Sequence, residues 1–420
     1  MENILDELQW RDLIVSSTGI DELRTALAAG PVGLYCGFDP TASSLHVGHL
    51  TQIITMRRFQ LAGHRVFALV GGATGLIGDP RMSGERVLNS PEVVQGWVNN
   101  LRDQIGRFLD MEGENPVTMV NNLDWISQMS ALELLRDVGK NFRMGTMLAK
   151  EIVASRLQGE GLSYTEFSYQ ILQAIDFQEL FKRHGVTLQY GGNDQWGNLL
   201  GGVELIRRTQ GEEVHALTTP LVTKADGTKF GKSEGGAVWL DPELTSPYAF
   251  HQFWLNADDR DVVNYLKFFA FRTREEIAEL QRATEEEPHA RKAQRALADD
   301  MTTLVHGAEA TAAVKAAASV LFGKGDVRGL DAAALATVAA ELPTAQLSGE
   351  VSFADAFVSV GIVNSKSAVR RAINEGGLSV NGEKLSDAEA SLDSVTPLEG
   401  GWLLLRRGRK TAAMVKLQVS

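Results

Sequence analysis

Cysteine is almost absent: one residue, Cys36, stands in 420. No disulfide can close within the chain, a Cys-rich zinc cluster is excluded, and a reducing, cytoplasmic setting is expected. Proline is sparse at 11 residues and aromatics make up 7%. No apolar run reaches the roughly 20 residues of a membrane span, so no membrane partner is expected. Residues 1–12 carry Glu2, Asp6 and Glu7 without a basic start and an apolar stretch, and are expected not to be a signal peptide. Positive charge is short too, with 41 Lys and Arg against 53 Asp and Glu, a net of −12. A uniformly acidic chain would repel nucleic acid, but the deficit is uneven. Residues 350–420 hold nine basic and eight acidic side chains, a net of +1 that leaves −13 on the rest. An anionic partner is therefore expected at the C-terminal segment.

What is present is ordinary globular composition, 44% hydrophobic and 22% charged, at a length that predicts two or three domains. Residues 32–38 read as a strand closed by Asp39-Pro40. Ser43 or Ser44 is placed to cap the helix that follows, which ends at Gly63. Residues 65–70 read as a second strand, running into Gly71-Gly72-Ala73-Thr74-Gly75. Residues 117–120 make a third, ending in Asn121-Asn122, and 186–190 a fourth, ending in Gly191-Gly192-Asn193-Asp194-Gln195. Strands alternating with helices, with glycines and polar residues at the strands' carboxyl ends, predict an α/β fold with a doubly wound parallel sheet of Rossmann type. The expected divisions are a catalytic domain at 1–247, an all-helical domain at 248–322, a linker at 323–350 and a small unit at 351–420.

Two short motifs about 180 residues apart carry the chemistry. His46-Val47-Gly48-His49 puts two imidazoles on one face at a helix start, where the backbone favours anions, and Gly48 permits close approach. Lys229-Phe230-Gly231-Lys232-Ser233 follows a hairpin-type Asp226-Gly227 and puts two lysines on a loop. Lysine is a long, flexible point charge suited to following phosphates. Either motif alone is more often a solvated surface; in this order they describe a split ATP site. A third group lies on the helix predicted over 163–177. Tyr169, Gln173 and Asp176 fall at i, i+4 and i+7 and share a face. Such a stripe is normally apolar, so three polar groups there mean either a solvated face or a pocket for a small polar ligand. Tyr35 and Asp79, near strand ends, are placed to complete that pocket.

These residues carry a resemblance. Tyr35-Cys36-Gly37-Phe38-Asp39-Pro40-Thr41, the histidine motif, the run from Gly71 to Pro80, the run from Tyr169 to Asp176, Gly191 to Asn198 and the lysine motif together resemble the bacterial tyrosyl-tRNA synthetases, within the class I aminoacyl-tRNA synthetases. The resemblance covers nearly the whole chain. It implies activation of L-tyrosine by ATP, then transfer to tRNA(Tyr), with no covalent nucleophile. Tyr35 and Asp176 would hydrogen-bond the substrate phenol. Asp79, Tyr169 and Gln173 would hold its ammonium, and Gln195 would lie near its carboxylate. Cys36, Gly37, Asp39, Gly48, Gly192, Asp194, Lys232 and Ser233 would contact ATP. His46, His49, Lys229 and Lys232 would be the catalytic groups around the α-phosphate and departing pyrophosphate. Mg2+ would travel with ATP, and no protein metal site and no zinc are implied. A buried carboxylate facing a phenylalanine ring would lose its partner, so discrimination would need no editing domain. Gln52 stands where the family would have a small or hydroxyl residue. The Asp79–Arg86 loop lacks lysines, leaving Arg81 and Arg86 as substitutes.

The C-terminal unit resembles the S4 RNA-binding domain, a small α+β fold. Its Lys366, Arg370 and Arg371 cluster on one helix face, and Arg406, Arg407, Arg409 and Lys410 form a second basic patch. The resemblance further implies a homodimer, with the 125–161 insertion at the contact. The rivals are a tryptophanyl relative, disfavoured by Asp176 and the S4-like unit, and an inactive RNA-binding regulator, which would be expected to have lost one of the two motifs. A nucleotidyltransferase that adenylates another acid would have no use for the RNA-binding tail.

Overall fold

The computed structural model describes residues 3–81, 84–159, 161–228, 230–233, 236–322, 325–348, 350–408 and 411–418, with backbone alone at 232–233. Contacts divide the chain into two compact units. One is Met1–Asp241 with Ala257–Ala293, the other Pro242–Asn256 with Gln294–Ser420.

The first unit is built on a six-stranded sheet. Its strands are β1 (Ser16–Ser17), β2 (Gly33–Phe38), β3 (Arg65–Val70), β4 (Thr118–Asn121), β5 (Val186–Gly192) and β6 (His215–Thr219), in the order β1-β6-β5-β2-β3-β4. All pairs but β1–β6 are parallel. The parallel part reads third-second-first-fourth-fifth in chain order, the doubly wound arrangement, and its direction reverses between β2 and β5, where Tyr35 stands beside Gln189. The four strands expected from the sequence are all present. β6 is additional, because His-Ala-Leu-Thr-Thr does not look apolar. Its buried Thr218 and Thr219 are accommodated by polar partners, with Thr218 Oγ1 donating to Asn193 Oδ1 at 2.9 Å and Thr219 Oγ1 to the Gly191 carbonyl at 3.3 Å.

The helix expected at 163–177 runs over Tyr164–His184, with the Ser163 side chain as N-cap and Gly185 ending it in the left-handed region. Its apolar face packs Ala174, Ile175, Phe177 and Leu180 against Tyr35, Phe67 and Leu69 of the sheet.

The second unit departs from the expected divisions. The 248–322 stretch is shared between the two units rather than forming one helical domain. The expected linker contains the helix Ala332–Glu341 and β9 (Thr344–Ser348). With β10 (Leu378–Val380), β11 (Glu383–Lys384), β12 (Trp402–Arg407) and β13 (Thr411–Gln418), β9 forms a five-stranded sheet in the order β11-β10-β12-β13-β9. β9 pairs parallel with β13. Leu403, Leu405, Ala413 and Val415 face one core with Phe353, Phe357 and Val369. Leu404 and Met414 face another with Ala317, Leu335 and Val338. Both faces of β12 and β13 are covered, which is why these strands read as continuous apolar runs, and residues 325–348 belong to the body of the unit.

Candidate active site

The first motif forms its helix start differently from expectation. The cap is His46 itself, not Ser43 or Ser44, whose Ser44 hydroxyl instead donates to the Leu45 carbonyl at 2.8 Å. His46 Nδ1 accepts the Gly48 N–H at 3.1 Å, and His49 Nδ1 accepts the His46 N–H at 3.1 Å, a reciprocal capping box over a single turn, Val47–His49. A Cβ at Gly48 would sit 2.8 Å from His46 Cε1, so only glycine lets the ring fold back. Both Nδ1 atoms accept, which assigns each neutral ring's proton to Nε2. The rings lie 4.0 Å apart. Burial, and His46 beside it, push the His49 imidazole down to about 3, so it is neutral at pH 7.

The second motif is tied to the first through backbone. Val47 N–H donates to the Val238 carbonyl at 2.9 Å, Val238 N–H to that of Gly231 at 3.0 Å, and Leu240 N–H to that of Leu45 at 2.9 Å. Gly231 has φ +82°, and a Cβ there would stand 3.0 Å from Val47 Cγ2, so a glycine is required where loop and turn meet. Lys229 lies outside the described residues. Lys232 and Ser233 are placed by their backbone, as β7 (Lys232–Ser233) paired with β8 (Gly236–Ala237).

A cavity of about 350 Å³ opens at the carboxyl ends of β2 and β5. It brings together Tyr35, Cys36, Gly37, Asp39, His46, Gly48, His49, Asp79, Tyr169, Gln173, Asp176, Gly192, Asp194 and Gln195, all of them expected from sequence. Asp176 and Tyr35 are buried, at 2% and 1% exposure. Asp176 Oδ1 accepts Trp125 Nε1–H at 2.9 Å and Oδ2 accepts Asn122 Nδ2 at 3.0 Å. Burial pushes its carboxyl up to about 8 against the pull of those two donors. The Tyr35 hydroxyl is buried without a hydrogen-bond partner among the described residues. A ligand hydroxyl placed between these groups satisfies both.

Elsewhere in the cavity are two carboxylates. Asp39 accepts the Tyr169 hydroxyl at 2.7 Å and the Thr74 hydroxyl at 2.6 Å. Asp79 accepts Gln195 Nε2 at 2.9 Å. Burial raises both carboxyls, Asp79 to about 6 with the charges of Asp39 and Asp194 adding to the rise, while the Thr74 and Tyr169 hydroxyls and Arg86 pull Asp39 the other way. The Gln173 Oε1 acceptor is buried and unpartnered among the described residues. Two carboxylates and an amide oxygen suit a cation with three donors, such as an ammonium. Asp39, expected on the nucleotide, stands among these groups, one oxygen accepting from Thr74 and the other from Tyr169. Cys36, whose thiol burial pushes up to about 12, is a neutral lining group. Gln52 also lines the cavity, its amide donating to Thr219 Oγ1 at 3.0 Å. Arg86 enters from the loop after Asp79, and its Nε donates to the Asp79 carbonyl at 2.8 Å. Sequence reasoning missed Asn122, Trp125 and Thr74. The signal for the first was available, since Asn121-Asn122 closes a parallel strand at its carboxyl end.

Residues 27–323 match the family model of the class I tRNA synthetases (W and Y), and residues 334–415 match the Tyrosine--tRNA ligase SYY-like C-terminal domain. The chain is 59% identical over 419 residues, 99% of each sequence, to the tyrosine–tRNA ligase of Streptomyces griseus subsp. griseus. It belongs to the tyrosine–tRNA ligase family. A C-terminally truncated mitochondrial tyrosyl-tRNA synthetase of Aspergillus nidulans, 32% identical, superposes with a TM-score of 0.69 over 77% of this chain and 95% of that one. A tryptophanyl-tRNA synthetase of Encephalitozoon cuniculi bound to tryptophan shares the fold at 13% identity, with a TM-score of 0.53 over 73% of this chain and 87% of that one.

Within this ligase family member the basic C-terminal residues fare unevenly. Lys366, Arg370 and Arg371 are exposed on the helix Lys366–Asn374, as expected. Lys366 meets Asp355 at 2.6 Å and Arg370 meets Glu389 at 2.7 Å, exposed pairs that an incoming phosphate can displace at little cost. Arg407 is exposed. Arg406 is not available to RNA: it is 9% exposed and its guanidinium donates to the Val320 carbonyl. Alternation along β12 turns it to the covered face. Arg409 and Lys410 lie outside the described residues.

Proposed function

We propose that the chain is a tyrosine–tRNA ligase that activates L-tyrosine with ATP and passes the tyrosyl group to the 3′-terminal adenosine of tRNA(Tyr). The observation that carries this is Asp176, held by Asn122 and Trp125 beside the unpartnered hydroxyl of Tyr35. That pair recognises a phenol. Phenylalanine would leave both groups buried and unmatched. Asp79, Asp39, Tyr169 and Gln173 hold the ammonium, and Gln195, bonded to Asp79, stands near the substrate carboxylate. Cys36, Gly37, Gly48, Gly192 and Asp194 contact the nucleotide.

In the first step a tyrosine carboxylate oxygen attacks the α-phosphorus of ATP. The bond from that phosphorus to the bridging oxygen breaks, and the electron pair leaves on pyrophosphate. No proton needs to move. Catalysis is positioning and charge stabilisation. The Nε2–H donors of His46 and His49 serve the phosphate oxygens as neutral dipoles, while Lys229, Lys232 and Ser233 serve the pyrophosphate, with Arg86 at hand. A ribose hydroxyl of the tRNA terminus then attacks the adenylate's carbonyl carbon; the bond from that carbon to the phosphate oxygen breaks, AMP leaves with the electron pair, and the hydroxyl proton passes to the leaving phosphate or to water. Mg2+ would arrive with ATP and would supply charge neutralisation at the phosphates.

The RNA is gripped by Lys366, Arg370, Arg371 and Arg407. The working form is a homodimer joined through the 125–161 insertion. Leu132, Leu135, Met144 and Leu148 expose apolar side chains there, at 79, 60, 56 and 38%, whereas Met147 is packed inside. Charging of tRNA for protein synthesis puts the enzyme in the cytoplasm. The test is ATP–pyrophosphate exchange with tyrosine, phenylalanine and tryptophan in turn. Exchange with tyrosine alone, lost in Asp176→Ala, is expected; no exchange with any amino acid would leave an RNA-binding protein without catalysis.

A further inference from the structure

The lysine loop has a second set of holds besides the histidine segment. The Ala225 N–H donates to Asp261 Oδ2 at 3.0 Å, and the Tyr265 hydroxyl to the Thr223 carbonyl at 3.4 Å. Phe230, between the two lysines, is 9% exposed. Its ring lies 5.0 Å from that of Tyr265 and stacks on Phe269 at 5.5 Å and 16°. All three holds come from the helix Val262–Phe269 and Asp261 just before it.

That helix is itself anchored at its far end. The last carbonyls of a helix have no partner within it, and here two guanidiniums meet them. Arg58 donates to the Phe268 carbonyl at 2.8 Å and the Ala270 carbonyl at 2.9 Å. Arg11 donates to Lys267 at 2.8 Å, Ala270 at 3.0 Å and Arg272 at 2.7 Å. Arg58 is 5% exposed, and burial with Arg11 alongside pushes its pKa well down. Two like charges buried together are costly even with Glu7 paired to Arg11 at 2.5 Å, and apolar side chains of similar volume are often no worse for stability. What the forked guanidinium adds is geometry, since it fixes the helix end at several points. Arg58 sits on the helix Leu50–Leu61, which directly continues the histidine turn. One helix thus carries the phosphate-side imidazoles at its start and braces the holder of the lysine loop near its end.

We propose that Arg58 is a positioning residue for the pyrophosphate end of tyrosine activation: through the helix Val262–Phe269 it keeps Phe230, and with it the lysine loop, in register with His46 and His49. Arg58 is not among the residues that line the cavity. The proposal rests on the activation reading given above.

The test is tyrosine-dependent ATP–pyrophosphate exchange in the full chain, with active sites counted by the adenylate burst. The variants are Arg58→Lys, Arg58→Met and Asp261→Ala. Arg58→Met is expected to lower exchange per active site by roughly ten- to a hundredfold, the scale of a small misplacement. Arg58→Lys should recover part of this, and KM for ATP and pyrophosphate should rise while tyrosine affinity stays within twofold. Asp261→Ala, at the other end of the same helix, should give the same signature. Phe230→Leu added to Arg58→Lys should be no worse than the poorer single variant. Per-site rates within twofold of the unmodified chain, or tyrosine and ATP constants moving together, would overturn the proposal. Should the Arg58 variants fail to fold, Asp261→Ala and Phe230→Leu decide by the same criteria. Absence of tyrosine-dependent exchange in the unmodified chain would remove the activation reading as well; normal exchange there with unaltered variants removes the brace alone.

Discussion

The indole N–H of Trp125 donates to Asp176 Oδ1 at 2.9 Å across 51 residues of sequence, and Asn122 takes the other oxygen. Neither donor belongs to the two signature motifs, yet together they hold the carboxylate that we propose distinguishes tyrosine from phenylalanine. A hydrogen bond to a charged group contributes about 1.5–3 kcal/mol. Trp125→Phe keeps the ring and removes the donor. Tyrosine KM in exchange is expected to rise by about tenfold or more, with ATP KM unchanged and discrimination against phenylalanine reduced. An unchanged tyrosine KM would show that Asn122 suffices.

Two cavity carboxyls are raised, Asp176 to about 8 and Asp79 to about 6, both chiefly by burial. The unfolded chain loses these protons near pH 4. The stability they confer is therefore fully present below about pH 4 and is lost as pH rises through 6 for Asp79 and 8 for Asp176. Melting of the ligand-free chain should fall in temperature from pH 5 to 8.5, and Asp176→Asn should flatten the upper part of that slope. Tyrosine presents a phenol donor to one carboxylate and an ammonium to the other, which favours their ionised forms. Binding at pH 7 should release a proton, read as a calorimetric heat that changes with the buffer's ionisation enthalpy. No buffer dependence would mean that Asp176 is already ionised before tyrosine arrives.

His49, lowered to about 3, stays neutral through the physiological range. The exchange rate should show no acid limb at the ordinary histidine value arising from this residue. Its contribution to stability has the opposite sign to the carboxyls. Between about pH 6.5 and 3 the unfolded chain binds a proton that the folded chain refuses, so the folded state weakens as pH falls. His49→Ala removes a donor and half of the capping box. A loss of roughly 10²–10³ in kcat is expected, as for removal of one oxyanion donor. A loss confined to thermal stability would assign His49 to the cap alone.

Arg406 and Arg407 are adjacent in sequence and opposite in consequence. Arg406→Ala removes the guanidinium that donates to the Val320 carbonyl and should lower stability with tRNA affinity unchanged once folded protein is compared. Arg407→Ala and Arg371→Ala should weaken tRNA binding and reduce its salt dependence by about one counterion each. Equal loss of tRNA affinity in all three would show that Arg406 swings out to meet RNA.

The sequence by itself determined the parallel sheet, because strand-length apolar runs closed by glycine and polar residues are a local pattern with one dominant solution. It also pointed to many of the side chains that line the cavity: in a doubly wound sheet every strand delivers its carboxyl-end residues to one edge, so Tyr35, Gln195 and the histidine motif converge there. Tertiary structure alone decided what each group is bonded to. That Asp39 is taken by Thr74 and Tyr169, that Asp176 is aimed by Trp125, and that Phe230 is stacked on Phe269 are matters of contacts between residues tens of positions apart, which no local period encodes. The same holds for the C-terminal unit. A strand such as β9, with its polar residues exposed and Ala345 and Leu347 only half-buried, is recognisable only once β13 lies beside it, and the burial of Arg406 follows from which face of β12 a helix happens to cover.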